Sequence, residues 1–164
     1  MFVRQATQQD AMKLIEVMND AEASGFMLHN PNERQMTTES LGKFITSINA
    51  APKSSLFLAE EQQEILGYLL VKGENLSRTS HRAKIAIGVH SLSRGKGTGT
   101  KLFEYVIPWA KQQQLHRLEL TVIEHNHQAL HLYKKMGFQE EGIKRNSLWI
   151  DGQFVNEVYM SLLF

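Results

Sequence analysis

The fold class is decided by the stretch Ser93-Arg94-Gly95-Lys96-Gly97-Thr98-Gly99-Thr100-Lys101-Leu102. It follows a compact apolar run at residues 85–89, which predicts a strand, and it leads into an apolar-periodic segment, which predicts a helix. Three glycines at alternate positions let several backbone N–H groups converge on one point, and a helix N-terminus favours an anion there. The stretch therefore predicts a phosphate-binding turn between a strand and a helix.

Two common phosphate motifs do not fit this turn. A Walker loop needs Gly, four residues and then Gly-Lys-Ser or Gly-Lys-Thr, and the chain has no such run. A dinucleotide fingerprint turns directly from strand into Gly-x-Gly-x-x-Gly, whereas residues 90–94 intervene here and the last two glycines are two apart. Taken alone, the glycines are equally compatible with a turn that opens a helix and binds nothing.

A second motif lies about two dozen residues further on. It reads Asn126-x-x-Ala129-x-x-Leu132-Tyr133-x-Lys135-x-Gly137-Phe138 and follows a predicted strand at residues 118–122. Together with Arg94-x-x-Gly97-x-Gly99, it resembles the GNAT superfamily of acyl-CoA-dependent N-acyltransferases. The C-terminal segments 137–142 and 149–157 resemble the branch that contains ribosomal-protein N-terminal, polyamine and small-molecule acetyltransferases.

The order of the predicted elements indicates an α/β fold with a mixed sheet. An N-terminal strand, two helices and a hairpin precede strand–helix–strand–helix and a last hairpin that turns at Asp151-Gly152. The resemblance implies a GNAT fold with about six to seven strands and about four helices, in a single domain over residues 1–164. It also implies that the two central parallel strands are splayed and that a pantetheine arm enters between them. Gly88, isolated within the first of these strands, predicts either a bulge or a close backbone approach.

The resemblance further implies acetyl-CoA as the acyl donor and a set of residues that bind it. The main-chain amides of the glycine-rich turn would hold the diphosphate, and the strand and the second motif would hold the pantetheine. The implied cofactor-binding residues are Ile87, Val89, Arg94, Gly95, Lys96, Gly97, Thr98, Gly99, Thr100, Asn126, Ala129 and Tyr133.

Acyl transfer from a thioester to an amine requires a neutral amine, a polarised carbonyl and a proton for the leaving thiolate. The resemblance implies that the Val89 N–H polarises the carbonyl and that Tyr133 is the general acid. Asn126 lies seven residues before Tyr133, so both project from the same face of a helix. Glu119 is the candidate general base, with His90 and Glu33 as alternatives. No covalent intermediate is required.

The acceptor is predicted only as a primary amine, on a small molecule or on a protein or peptide. In the resembled family the region between the first two helices overhangs the acceptor, so a set of residues at 24–36 could shape its pocket: Phe26, Met27, His29, Glu33 and Arg34. Two other function classes stay open, a non-catalytic acyl-CoA-binding module and a nucleotide-dependent oxidoreductase. The second of these would need the missing dinucleotide fingerprint.

Composition sets further limits. The chain has 164 residues, 42% of them apolar, with a formal charge of +1, so its total charge predicts attraction neither to nucleic acid nor to a membrane. It has no cysteine, which excludes disulfides and a cysteine nucleophile.

His127 and His131 have helical ligand spacing, with His125 nearby, but no third ligand completes a known pattern, so no metal site is predicted. A cytoplasmic location is the default expectation. Homodimers are common in such families, and the sequence carries no decisive mark of one.

Overall fold

The computed structural model describes residues 1–164 as one seven-stranded sheet with α-helices on both faces. The strands run in the spatial order β1-β2-β3-β4-β5-β7-β6, and β4 and β5 form the parallel pair. With seven strands and four α-helices, these findings confirm the predicted α/β fold with a mixed sheet of about six to seven strands and about four helices. The elements are β1 (Phe2–Gln5), α1 (Ala11–Glu22), α2 (Thr38–Ala50), β2 (Ser55–Glu61), β3 (Glu64–Gly73), β4 (Arg82–Val89), α3 (Thr98–Gln112), β5 (Arg117–Ile123), α4 (His127–Lys135), β6 (Gln139–Ile150) and β7 (Gln153–Leu163).

Local sequence signals account for where several elements begin and turn. The Thr37 hydroxyl accepts a bond from the Ser40 N–H at 3.0 Å and caps α2. Asp151 and Gly152 both have positive φ, 49° and 77°, as a two-residue hairpin between twisted strands requires. Helix α3 continues through Pro108 to Gln112, and β6 begins at Gln139. No helix is both long and apolar enough to span a membrane.

Strand alternation divides the core between the two faces of the sheet. Odd-numbered residues of β2 and β3, such as Phe57 and Leu69, pack with α3 through Phe103. Even-numbered residues of β2, such as Leu56, face the other way and pack against α1 and α2. Helices α3 and α4 thus cover one face of the sheet, and α1 and α2 cover the β1–β4 half of the other.

The parallel strands β4 and β5 pair over their first three residues and then separate. Residues 82–84 of β4 pair with 117–119 of β5, and the rest of each strand has no partner across this boundary. Each strand nevertheless stays paired with its outer neighbour, β4 with β3 as far as Val89 and β5 with β7 as far as Ile123. The predicted splaying of the central pair is therefore confirmed.

Strand β4 has no bulge at Gly88, so that predicted alternative is wrong. The other alternative, a close approach to the backbone at this position, is the one that the structure shows. The β3–β4 ladder runs without a register shift from the Gly67–Val89 pair to the Gly73–Ala83 pair. Gly88 lies directly opposite Tyr68, and a Cβ at position 88 would be 2.5 Å from Cε1 of the tyrosine ring. Glycine is needed because the buried Tyr68 ring lies across the β4 backbone.

Replacement of Gly88 by alanine is expected to destabilise the protein by about 1–3 kcal/mol, because the added methyl overlaps a ring that is fully enclosed. The free energy of unfolding in urea measures this effect. The Gly88→Ala/Tyr68→Leu double variant removes the ring and should therefore be destabilised by less than the sum of the two single variants. Strict additivity would show that the ring is not what position 88 must avoid.

Candidate active site

A cavity of about 650 Å³ opens where β4 and β5 part. Its walls are the separated strand ends, the turn that leads into α3, one side of α4 and the segment 21–28. All of the predicted cofactor-binding residues except Lys96 line it, and the side chain of Lys96 is exposed on the outside of the turn. The two sequence motifs, far apart along the chain, thus meet in one cavity.

The turn before α3 presents unpaired amides to this cavity. Gly97 is the N-cap with φ of 86°, a left-handed conformation that glycine adopts without strain. The first intrahelical bond runs from the Lys101 N–H to the Gly97 carbonyl at 2.9 Å, so the amides of residues 98–100 have no partner within the helix. The Thr98 hydroxyl closes the turn by donating to the Ser93 carbonyl at 3.2 Å. This arrangement can bind a phosphate group through main-chain N–H groups.

The Arg94 side chain anchors the turn to its surroundings. Its Nε donates to the Val89 carbonyl at 3.1 Å, and its guanidinium lies 3.6 Å from the Asp20 carboxylate on α1. Asp20 also accepts bonds from the Ser91 N–H and hydroxyl, at 2.5 and 2.7 Å. The first residue of the glycine motif therefore connects the turn, the end of β4 and α1.

Strand register determines which backbone groups face the gap. The His90 N–H donates to the Leu66 carbonyl at 2.9 Å, so even-numbered residues of β4 bond to β3. The N–H groups of Ile87 and Val89 consequently point towards β5. On β5, the Glu124 N–H donates to the Asn156 carbonyl, so the even-numbered residues bond to β7. The main-chain groups of the odd-numbered residues of β5 therefore point towards β4. An extended ligand arm can bond to both strands in the gap.

Helix α4 places Asn126 and Tyr133 on the cavity wall. Asn126 caps the helix by accepting a bond from the Ala129 N–H at 3.2 Å. Tyr133 is 7% exposed and packs edge-on against Phe103, with ring centroids 5.9 Å apart. Burial raises the pKa of the Tyr133 hydroxyl well above its ordinary value, so the group stays protonated at neutral pH.

Lys135, for which the sequence predicts no role, lies at the mouth of the cavity. Lys135 Nζ is 3.4 Å from the Thr100 hydroxyl, beside the free amides at the start of α3. The neighbouring Lys134 points elsewhere and pairs with Glu140 at 2.9 Å. Lys135 stands in the second motif, but its position beside the glycine turn depends on how α4 packs on α3.

Glu119, the candidate base, is not brought to the cavity. It sits where β4 and β5 are still paired, opposite Lys84, and Arg117 Nε donates to its carboxylate at 2.7 Å. Arg117 and Glu119 are two apart on one strand, so their side chains share a face and form an ion pair. The geometry does not support Glu119 as the group that takes a proton from the acceptor.

The two alternative bases also lie away from the reaction site. His90 Nε2 is 3.8 Å from Asp20, and neither His90 nor Glu33 lines the cavity. Glu33 accepts a bond from the Asn30 N–H at 3.0 Å in the exposed loop. No base predicted from the sequence therefore reaches the cavity.

Two of the five predicted acceptor-pocket residues, Phe26 and Met27, do line the cavity. His29 does not, and Arg34 holds the loop in place by donating from Nε to the buried Glu22 carboxylate at 2.7 Å. Leu28 lines the cavity and was not predicted.

Glu157 is the one carboxylate on the cavity wall. It lies on β7, paired with Ile123 of β5, and is 7% exposed. Although Glu157 ends the segment 149–157 quoted for the resemblance, nothing in that segment assigns it to the cavity, since β7 reaches the site only through its register with β5.

A family model described as an acetyltransferase (GNAT) domain matches residues 3–159. The chain belongs to this family. The match includes both motifs that line the cavity.

Two curated relatives from Escherichia coli show how varied the similar proteins are. The L-amino acid N-acetyltransferase AaaT is 30% identical over 99 residues, which cover 60% of this chain and 61% of AaaT. Spermidine N(1)-acetyltransferase is 29% identical over 94 residues, which cover 57% of this chain and 50% of that enzyme. The matches thus span about half to three fifths of the length of these relatives.

A solved structure is similar over nearly the whole chain. It is an acetyltransferase of the GNAT family from Streptococcus pneumoniae, with a TM-score of 0.94 and 26% identity. The superposition covers 99% of this chain and 98% of that one. The fold described above is thus the fold of this neighbour from end to end.

Proposed function

We propose that this protein transfers the acetyl group of acetyl-CoA to a primary amine by direct attack. One observation carries the proposal: free amides at the start of α3, an open strand edge and a protonated buried tyrosine line a single cavity. Membership of the GNAT acetyltransferase family supports it. The match to an amino-acid and to a polyamine acetyltransferase supports an amine as the acceptor.

The proposed arrangement of the cofactor follows from the polar groups of the cavity. The amides of residues 98–100, with Lys135 beside them, bind the diphosphate. The pantetheine arm takes the place of a missing strand and bonds to Ile87 on β4. The Val89 N–H donates to the thioester carbonyl and stabilises the negative charge that develops on its oxygen.

The reaction balances without a covalent enzyme intermediate. The acceptor ammonium loses one proton and its lone pair attacks the thioester carbon, so that a C–N bond forms and the C–S bond breaks. The nitrogen loses a second proton as the amide forms, and the thiolate gains one from Tyr133, which is then reprotonated. The net products are the amide, free coenzyme A thiol and one proton.

The test of this proposal is thiol release from acetyl-CoA in the presence of a panel of primary amines, with calorimetric titration of coenzyme A as a separate measurement. Thiol release that depends on an amine is the expected result. Binding of coenzyme A without transfer to any amine would favour a non-catalytic acyl-CoA-binding module. The cytoplasmic location and a homodimeric state stay predictions.

Replacement of Tyr133 by phenylalanine is expected to lower kcat by about 100-fold or more, because the leaving thiolate loses its proton donor. The ring remains to pack against Phe103, so the Kd for acetyl-CoA should change by less than about twofold. Steady-state kinetics and calorimetry measure the two quantities. An unchanged kcat would assign protonation of the thiolate to another group or to water.

The pH dependence of kcat tests the state of the same hydroxyl. Since burial raises the pKa of Tyr133, its donor form persists to higher pH than that of a free tyrosine. We expect kcat to rise as the acceptor amine loses its proton and to show no falling limb below about pH 10. A falling limb near neutral pH that disappears in Tyr133→Phe would contradict this assignment.

Replacement of Lys135 by alanine is expected to raise the Kd for coenzyme A by about fivefold, because a partly exposed ion pair with the phosphates contributes up to about 1 kcal/mol. The effect should shrink at high ionic strength. Lys134→Ala is the matched control, since that lysine pairs with Glu140 outside the cavity, and its Kd should equal that of the unchanged protein. Equal losses in both variants would indicate a general charge effect.

A further inference from the structure

We propose that Glu157 binds the ammonium group of the acceptor, and that the acceptor is a singly charged primary amine with an apolar substituent. This inference rests on the proposed function and names the acceptor side of the same site.

Glu157 differs from Glu22, the other buried carboxylate, and from the half-buried Asp10 and Glu119 in lacking a close cation. Glu22 and Asp10 each accept a guanidinium bond at 2.7 Å, and Glu119 accepts one from Arg117 at the same distance. The nearest cation to Glu157 is Lys144 Nζ at 3.7 Å, too long for a charge-assisted hydrogen bond. The Glu157 carboxylate therefore remains available to accept a charge-assisted bond from a ligand ammonium in the cavity.

The position of Glu157 places it on the acceptor side of the sheet. Val122 and Val158 pack with Tyr133 in the core beneath α3 and α4. Glu157 and its partner Ile123 are adjacent to these residues in sequence, so their side chains project to the opposite face. The gap between β4 and β5 joins the two faces, so a thioester held from the Tyr133 side can be attacked from the Glu157 side.

The remaining lining on that side carries no second acid, and its polar members, Ser24 and Thr121, are uncharged. Phe26, Met27 and Leu28 from the loop after α1, together with Leu148 of β6, line the same cavity. A polyamine would bring at least one further cation into a cavity whose lining holds a single carboxylate. A ligand with one ammonium would pair with Glu157, and its apolar group would pack against Phe26 and the neighbouring apolar side chains.

The test compares two probes, 2-phenylethylamine and spermidine, in the unchanged protein and in Glu157→Gln. For phenylethylamine, the glutamine variant is expected to raise KM by about 10- to 100-fold, because a charge-assisted bond to the acceptor ammonium is lost. The Kd for acetyl-CoA should stay within about twofold, and phenylethylamine should have at least a tenfold higher kcat/KM than spermidine. An unchanged KM in Glu157→Gln, or a preference for spermidine, would overturn the inference.

Two control variants separate ligand binding from structural roles. Glu140→Gln removes a carboxylate that pairs with Lys134 outside the cavity and should leave KM unchanged. Lys144→Met removes the only cation near Glu157. If Glu157 served only to pair with Lys144, both partners' variants would raise KM alike, whereas the inference requires that Lys144→Met does not raise it.

Calorimetric titration of phenylethylamine into the protein saturated with coenzyme A provides a readout that needs no turnover. Binding that Glu157→Gln weakens supports the inference even if no acetyl transfer occurs, in which case the proposed function alone fails. Acetyl transfer with equal amine binding in both proteins would overturn this inference and leave the proposed function intact.

Discussion

The backbone at the divided end of the sheet has no strand to bond to, and the rest of the site depends on this. Beyond residues 84 and 119, β4 and β5 no longer pair, yet Val89 and Ile123 still belong to complete ladders with β3 and β7. The sheet therefore consists of two fully paired halves, joined by the short β4–β5 pairing at residues 82–84 and 117–119, that diverge beyond it. Main-chain groups inside a protein need hydrogen-bond partners, so the gap is a place that water or an extended ligand must fill.

The neighbouring elements hold the two halves apart and close the ends of the gap. On the β4 half, the Tyr68 ring lies across Gly88 and fixes the end of the strand against α1 and the loop that follows it. On the β5 half, three residues separate the end of the strand from the start of α4, which places Asn126 and Tyr133 beside the gap. The glycine turn occupies the remaining end with its amides turned inward. Groups from β4, β5, α4 and the glycine turn thus converge on one cavity.

The turns and helix starts of this arrangement could be predicted from the sequence because short-range rules govern them, whereas the parting of β4 and β5 was implied by the family resemblance. Positive φ at Asp151-Gly152, the cap at Asn126 and the turn at Gly97 each follow from the residues themselves. What failed were the inferences that needed long-range register. Glu119 was expected to act as a base because of its strand position, although Arg117 two residues earlier was a visible partner for it.

Glu157 shows the same limit from the other side. Its strand, β7, inserts between β5 and β6, and only this order brings the residue next to Ile123 and hence to the cavity. A lone glutamate in the last strand of a chain carries no mark of that neighbour. The pairing of β5 with β7 had to be known before its carboxylate could be assigned to the acceptor side.

The bond from Arg94 to the Val89 carbonyl has a consequence for which cofactors this protein can use. Under the proposed function, this side chain belongs to the turn whose amides would bind the diphosphate, and it bonds to the strand residue whose N–H would face the thioester. The bond thus couples the position of the turn to the end of β4. If the proposed function holds, the thioester of a simple alkyl thiol, which has no diphosphate, would leave the amides of the turn without a ligand.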